Sequence, residues 1–503
     1  MRIQLTRKGA AVLLPFLSAC AAVGPDYQAP PVAAPAKWSE TAAALPVKAD
    51  LARWWRGFGD ERLDWLIERA VEGNLDLQVA AARVNAARAE QLSADAAFWP
   101  KLGASGGYQR MRISPNAIKG LFGTATSGQA SAAQAATPFS NIGPIGDAFN
   151  LFQSGFDASW ELDLFGGIQR RQEAADAEYA ATVEQGRDLL LSLTAEVART
   201  YFGLLARERH LETARERVRN QGEILRLAEH SYTEGLATAL DARRARAELE
   251  ASAAEPPALE AQIKQSRHAL ATLLGLAPTA LEHRLAQVPA DIPQPPSVPL
   301  GLPSDVLRRR PDIRKAERDA AAASASIGVA TAELFPKLSL TGSVGLQSQE
   351  LGNFTSLSSG FYGFGPRLSL PLFQGGRLRA NLSAQEAAFE QSTRQYQKTV
   401  LNAFREVEDA LAGIDGEAGR KASLAAAEAS ARRGTEAATA LYTEGEADFS
   451  AVLDAHRSWY ETRDRLTESQ LSWATTHVAL FKALGGGWAG ASAPKPAQAA
   501  AGS

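Results

Sequence analysis

Few residues in this 503-residue chain are spaced for covalent or metal chemistry. The six histidines, His210, His230, His268, His283, His456 and His477, form no metal or metalloprotease spacing. No nucleophile–base pair stands out, so an enzyme is not expected. Gly166-Gly167 and Gly375-Gly376 read as strand-to-helix turns rather than phosphate loops. The one reactive group with a clear context is Cys20. Arg2, Arg7 and Lys8 give a basic start, and Ala10 to Leu17 gives an apolar core far shorter than the ~20 residues that span a bilayer. Leu17-Ser18-Ala19-Cys20 then reads as the cleavage box of a bacterial lipoprotein; the alternative is a secretory signal with a chance cysteine. Cleavage makes Cys20 the first mature residue, carrying lipid on its thiol and amine, and no other cofactor is expected. Ala21 stands where an aspartate would signal inner-membrane retention, which directs the chain to the outer membrane. A single cysteine also rules out an internal disulfide.

Composition is that of a folded protein, 45% hydrophobic and 22% charged. The formal charge is −3, and loss of residues 1–19 removes three cations, leaving −6. With no long basic run, nucleic acid is not the expected partner. No later segment offers about 18 consecutive apolar residues, so a membrane-embedded part would have to be a β-barrel.

The elements that position any functional group come in two copies. Phe98-Trp99-Pro100-Lys101-Leu102, Leu162-Asp163-Leu164-Phe165-Gly166-Gly167, Tyr232-Thr233-Glu234-Gly235 and Leu274-Gly275 recur in order. Their counterparts are Phe335-Pro336-Lys337-Leu338, Leu370-Pro371-Leu372-Phe373-Gln374-Gly375-Gly376, Tyr442-Thr443-Glu444-Gly445 and Leu484-Gly485. The last two blocks are both offset by 210 residues, which marks an internal duplication. The expected layout is a signal peptide at 1–19, a lipid-anchored N-terminal segment at 20–60, a first strand–helix repeat at 61–285, a Pro-rich extended linker at 286–303, a second repeat at 304–488 and a disordered tail at 489–503.

Each copy predicts two strands. Phe156, Ala158, Trp160, Leu162 and Leu164 alternate with polar residues, as do Leu338, Leu340, Gly342, Val344 and Leu346, and Pro366, Leu368, Leu370 and Leu372. Period-two patterning gives one apolar and one polar face. In a membrane barrel the first faces lipid and the second lines water. Phe98, Trp99, Phe335 and Phe373 sit at strand ends as an aromatic girdle would. Stretches 114–151 and 347–361 read as exposed loops. Val183, Leu190, Leu193, Val197, Tyr201 and Leu204, and then Phe389, Tyr396, Val400, Phe404, Val407, Leu411 and Ile414, step by seven, four and three as a coiled-coil seam does. These runs predict helices of about 100 Å, with possible breaks at Gly413, Gly416 and Gly419. Gly235 and Gly445 predict turns into returning helices at Asp241–Leu274, kinked at Pro256-Pro257, and Ser450–Leu484.

Four strands cannot close a membrane barrel, which needs about eight or more. Several chains must therefore share one. At this point the sequence resembles the TolC/OprM-type outer-membrane efflux lipoproteins, the NodT-like outer-membrane factors of tripartite efflux systems. The resemblance lies in Val23-Gly24-Pro25-Asp26-Tyr27, Trp54-Trp55 with Phe58 and Asp60, Arg310-Pro311-Asp312-Ile313 with Ala316-Glu317, and Ala483-Leu484-Gly485-Gly486-Gly487-Trp488. It implies an α+β membrane protein: a homotrimer with a 12-stranded β-barrel, four strands per chain, continuous with a long periplasmic α-helical barrel. It further implies an exit channel for drugs, toxic organics or metal ions, in contact with outer-membrane lipid and working with a periplasmic adaptor protein and an inner-membrane, proton-driven pump. By the same resemblance Asp454 matches an aspartate ring at the periplasmic constriction, Tyr442 a tyrosine that holds the tip closed, and Asp241 its hydrogen-bonding partner. Gly235, Leu236, Gly445 and Glu446 fall at the tips as adaptor contacts. Two rival functions remain at this stage: a channel for type I protein secretion, and a structural lipoprotein spanning the periplasm.

Overall fold

A computed structural model describes residues 22–39, 51–112, 148–235, 237–286, 291–298 and 303–488. Cys20, Leu236, the signal peptide, the C-terminal tail and most of the 114–151 loop lie outside the described residues. The chain forms two compact units. The first comprises Met1–Tyr27, Glu90–Ala175 and Ala323–Ala388; the second comprises Gln28–Ala89, Asp176–Ala322 and Phe389–Ser503.

The first unit is built on one antiparallel sheet in the order β1 (Lys101–Arg112), β2 (Ala148–Leu162), β3 (Lys337–Ser348) and β4 (Gly360–Ser369). Three of the strands are those the alternation predicts, while β1 answers to the expectation of two strands per copy without an alternation of its own; β2 stops at Leu162 and β4 at Ser369, short of Leu164 and of Leu370 and Leu372. Helix α2 (Leu75–Asp95) precedes β1, α3 (Gly167–Thr233) follows β2, α7 (Pro311–Ala332) precedes β3 and α8 (Arg377–Thr443) follows β4. In an antiparallel sheet these four junctions fall at the same end. The β1–β2 and β3–β4 connections fall at the other.

At the helical end the N-terminal segment is pinned. Val23 donates its N–H to the Phe165 carbonyl at 3.0 Å. The Arg170 guanidinium, 6% exposed, reaches the Val23 carbonyl at 3.2 Å, Asp26 at 2.7 Å and Glu173 at 2.8 Å. This explains the Val-Gly-Pro-Asp-Tyr block: it clasps the foot of α3.

The second unit is helical. Besides parts of α3 and α8 it holds α1 (Glu61–Gly73), α4 (Ala239–Ala253), α5 (Glu255–Leu273), α6 (Pro303–Arg309) and α9 (Phe449–Ala483). Helices α3 and α8 have 67 residues each. The heptad seams are buried: Val197, Tyr201 and Leu204 in one cluster with Trp54, Leu63 and Phe481, and Val400, Phe404, Val407 and Leu411 in another with Trp38, Val306 and Ile313. One 18-residue stretch of α3 is apolar enough to cross a membrane by composition, but 67% of it is buried. Its apolar surface is spent on core packing.

The predicted kink falls where expected: α4 ends at Ala253, and Pro256-Pro257 sit in the first turn of α5, where no helical N–H is lost. The predicted interruption of α8 is absent. Gly413, Gly416 and Gly419 lie inside a continuous helix, and at Gly413 the missing Cβ leaves room for Thr476, whose Cγ2 would lie 3.0 Å from it. Helices α1, α2, α6 and α7 go beyond the expected two strands and one hairpin per copy.

The motifs around Asp60, Arg310 and Trp488 serve this core. Asp60 caps α1 through the N–H groups of Arg62 and Leu63 and accepts the Tyr201 hydroxyl at 2.7 Å. Trp54 stacks on Phe481 at 5.3 Å. Arg310, 8% exposed, binds Asp312 and Glu406, each at 2.6 Å, and the Ala483 carbonyl at 3.2 Å. Trp488 donates to the Arg309 carbonyl at 3.1 Å, and its ring lies 5.1 Å from the Arg187 guanidinium and 5.5 Å from that of Arg314.

Candidate functional site

The working surface of the sheet follows from its register. Paired residues in neighbouring strands project to the same face. One face carries Lys101, Ser105 and Gln109 from β1, Gln153, Asp157 and Glu161 from β2, Ser339, Thr341 and Ser343 from β3, and Arg367 from β4. The other carries Leu102 and Tyr108, Phe152, Phe156 and Trp160, Leu340 and Val344, and Tyr362, Phe364 and Leu368. The apolar face is not a core: Phe364 is 84% exposed, Tyr362 79% and Leu102 75%. The row of Leu162, Leu338 and Leu368 lies five two-residue steps from the row of Tyr108, Phe152 and Ser348. That is about 34 Å along the strands, or about 26 Å along a barrel axis at a 40° tilt. The hydrocarbon-facing band of an outer-membrane barrel is about 25 Å tall.

The second candidate region is the pair of helical turns. Gly235 and Gly445 have φ of +75° and +77°, the left-handed conformation that closes a helix at little cost only in glycine. Gly445 donates to the Tyr442 carbonyl at 3.1 Å and Glu446 to the Leu441 carbonyl at 2.8 Å, so the last carbonyls of α8 are satisfied. Beneath the turns Ile224, Ala228, Ala245, Phe449 and Val452 form a small core, with Tyr442 and Leu453 packed against it. The two hairpins therefore meet at their ends.

Asp454 projects from α9 with its side chain 75% exposed, 3.7 Å from Arg457, which also reaches Glu248 on α4 at 3.3 Å. Tyr442 and Asp241 are not brought together within one chain. Asp241 closes a capping box with Thr238, accepting its N–H at 3.0 Å and its hydroxyl at 2.7 Å. The Tyr442 ring packs on Phe449 at 5.4 Å, and its hydroxyl is buried without a hydrogen bond among the described residues.

Sequence spacing did not reveal a further cluster in the helical unit. His210 on α3 has both ring nitrogens on carboxylates of α9: Nδ1 at 2.9 Å from Asp464 and Nε2 at 3.1 Å from Glu468. Arg217 adds contacts to Asp464 at 3.4 Å and Glu255 at 2.8 Å. Nothing local could have signalled this, because the carboxylates lie 254 and 258 residues away. No group of three or more metal-ligating side chains occurs among the described residues.

Comparison with known proteins gives these features a context. Residues 66–276 and 302–486 match the family described as outer membrane efflux protein. The chain is 33% identical over 482 residues to the pyoverdine export outer membrane protein OpmQ of Pseudomonas aeruginosa, covering 94% of this chain and 97% of that one. It is 32% identical over 487 residues to the cation efflux system protein CusC of Escherichia coli, covering 95% and 98%. Among solved structures the outer-membrane channel OprN superposes with a TM-score of 0.82 at 33% identity, covering 93% of this chain and all of that one.

Proposed function

We propose, from the premise that the chain belongs to the outer membrane efflux protein family, that three copies close their sheets into one 12-stranded barrel through which small molecules leave the cell. The protein is an outer-membrane component of an efflux system. The observation that carries the channel reading is the segregation of the sheet into a polar face and an exposed apolar face about as tall as a bilayer core. A structural rod would need no such wall. Neither relative named above is a protein secretion channel by name: one exports pyoverdine and the other cations. Their nearly equal identities to this chain, 33% and 32%, do not favour either cargo. This fits a channel that accepts small molecules as a class and takes its selectivity from the pump and adaptor.

The clasp of Arg170 on residues 23–26 supports lipidation at Cys20. Val23 lies three positions after Cys20 in sequence, a reach of at most about 11 Å, so the lipid would be held near the helical end of the sheet. The exposed turns at Gly235 and at Gly445 and Glu446 are the surfaces offered to a periplasmic adaptor and, through it, to a proton-driven inner-membrane pump; Leu236 follows Gly235 in sequence. Three copies of Asp454 converging on the axis would form a carboxylate ring that attracts cations and disfavours closer approach of the tips. Arg457 tempers each charge.

Planar-bilayer recording of the purified protein tests both levels. Discrete channels are expected, and Asp454→Ala should raise single-channel conductance or weaken divalent-cation block. No channels from correctly assembled protein would overturn the channel reading. Channels with unaltered conductance and block in the variant would remove Asp454 from the gate.

A further inference from the structure

The charged residues of the strands divide by face with one exception in kind. Lys101, Asp157, Glu161, Lys337 and Arg367 all lie on the polar face. On the apolar face the only charges among the described strand residues are Arg110 and Arg112, one two-residue step apart at the end of β1 farthest from the helices. Both are exposed, and neither has an ion pair among the described residues. Just before them, Tyr108 packs on Phe152 at 5.0 Å and points its hydroxyl onward to Asn150 at 3.0 Å. That ring pair, apolar body toward the band and hydroxyl away from it, marks where hydrocarbon gives way to head groups. Arg110 and Arg112 lie one and two steps past it on the same face, about 5 and 10 Å along a tilted barrel axis.

A cation on a lipid-facing surface is costly at the bilayer centre and nearly free at its edge. Two guanidiniums stationed just outside an aromatic margin, with no acidic partner among the described residues, are suited to phosphate, which they bind by paired N–H···O bonds. We propose that Arg110 and Arg112 form a docking site for the phosphates of a phosphorylated glycolipid in the outer leaflet. The site would fix the height of the barrel and recur three times around it. This rests on the sheet being a barrel wall.

Native mass spectrometry of the purified full-length trimer with added phosphorylated glycolipid tests it, alongside the Arg110→Ala/Arg112→Ala variant. The wild type should retain the glycolipid. The variant should remain trimeric and bind it about ten-fold more weakly. The enzymatically dephosphorylated glycolipid should bind both proteins equally and weakly. Equal retention by wild type and variant, or no loss on dephosphorylation, would overturn the site. Inorganic phosphate held as tightly as the glycolipid would overturn the lipid assignment. Loss of the trimer in the variant would show that the arginines join subunits instead. Failure of the wild-type protein to insert into liposomes, read by protease protection of the strands, would instead strike at the barrel reading.

Discussion

His210 shows how a residue without a sequence motif acquires one in three dimensions. Ionised carboxylates only accept hydrogen bonds, so an imidazole facing one at each nitrogen must donate from both and carry a charge. Burial disfavours that charge, but the Asp464 hydrogen bond and charge, with Glu468 behind them, outweigh it and raise the pKa above the ordinary histidine value of 6.5. A folded pKa raised above the unfolded value gives stabilisation that is complete below pH 6.5 and is lost as pH rises through the folded value. His210→Gln should therefore lower the melting temperature most at pH 5.5–6, by a contribution of about 1 kcal/mol, and progressively less toward pH 9. A pH-independent difference would mean that packing, not charge, is the residue's contribution. Arg217 contacts both Asp464 and Glu255 and competes for the same acid, so its substitution should strengthen the His210 dependence. What was legible at this scale was local: the turn glycines Gly235 and Gly445. Asp60, Arg310 and Trp488 stood out only by resemblance, since their partners Tyr201, Glu406 and Arg187 are distant in sequence.

At the scale of elements, periodicity carried most of the information. Alternation located β2, β3 and β4 because a two-faced sheet must alternate, and heptads located α3 and α8 because both bury a seam. Glycine was read correctly at the turns and wrongly inside α8. The difference is physical: Gly235 and Gly445 hold positive φ, while Gly413, Gly416 and Gly419 adopt helical geometry that any residue can take. The remaining helices escaped notice for two reasons: α1 offers Leu63, Leu66 and Ile67 over only 13 residues, and α2 and α7, though 21 and 22 residues long, are rich in alanine and carry few large apolar residues to show a period. This contrast yields a paired prediction. Gly445→Val forces a β-branched side chain into the left-handed region and should cost about 1–2 kcal/mol, seen as faster amide exchange through residues 436–455. A Cβ at Gly416 would meet no atom within 4 Å, so Gly416→Ala should stabilise α8 by up to about 1 kcal/mol and leave that exchange unchanged. Equal effects of the two substitutions would contradict the assignment of one glycine to a turn and the other to a helix.

At the scale of the whole molecule, the sheet leaves β1 and β4 each with one unpaired edge. Open edges beside an exposed apolar face cannot persist in a bilayer, where every backbone N–H and carbonyl must find a partner. The economical solution is cyclic: β4 of one chain pairs with β1 of the next until the ring closes. Strand count and duplication were legible in the sequence, but the number of chains was not, because four strands fit any closed multiple and only the resemblance pointed to three. Cross-linking can count them. The chain has one cysteine, Cys20, which lipidation would block. Engineered thiols at Ser105 in β1 and, in turn, at Gly363, Gly365 or Arg367 in β4 all lie on the polar face. At the matching register, oxidation of the assembled protein should give bands of one, two and three chains and stop there. The closed ring should appear as a trimer with no free thiol. A ladder extending past three would indicate open polymerisation. A ladder ending at two would leave eight strands, a barrel too narrow to hold more than its own side chains and incompatible with an exit duct.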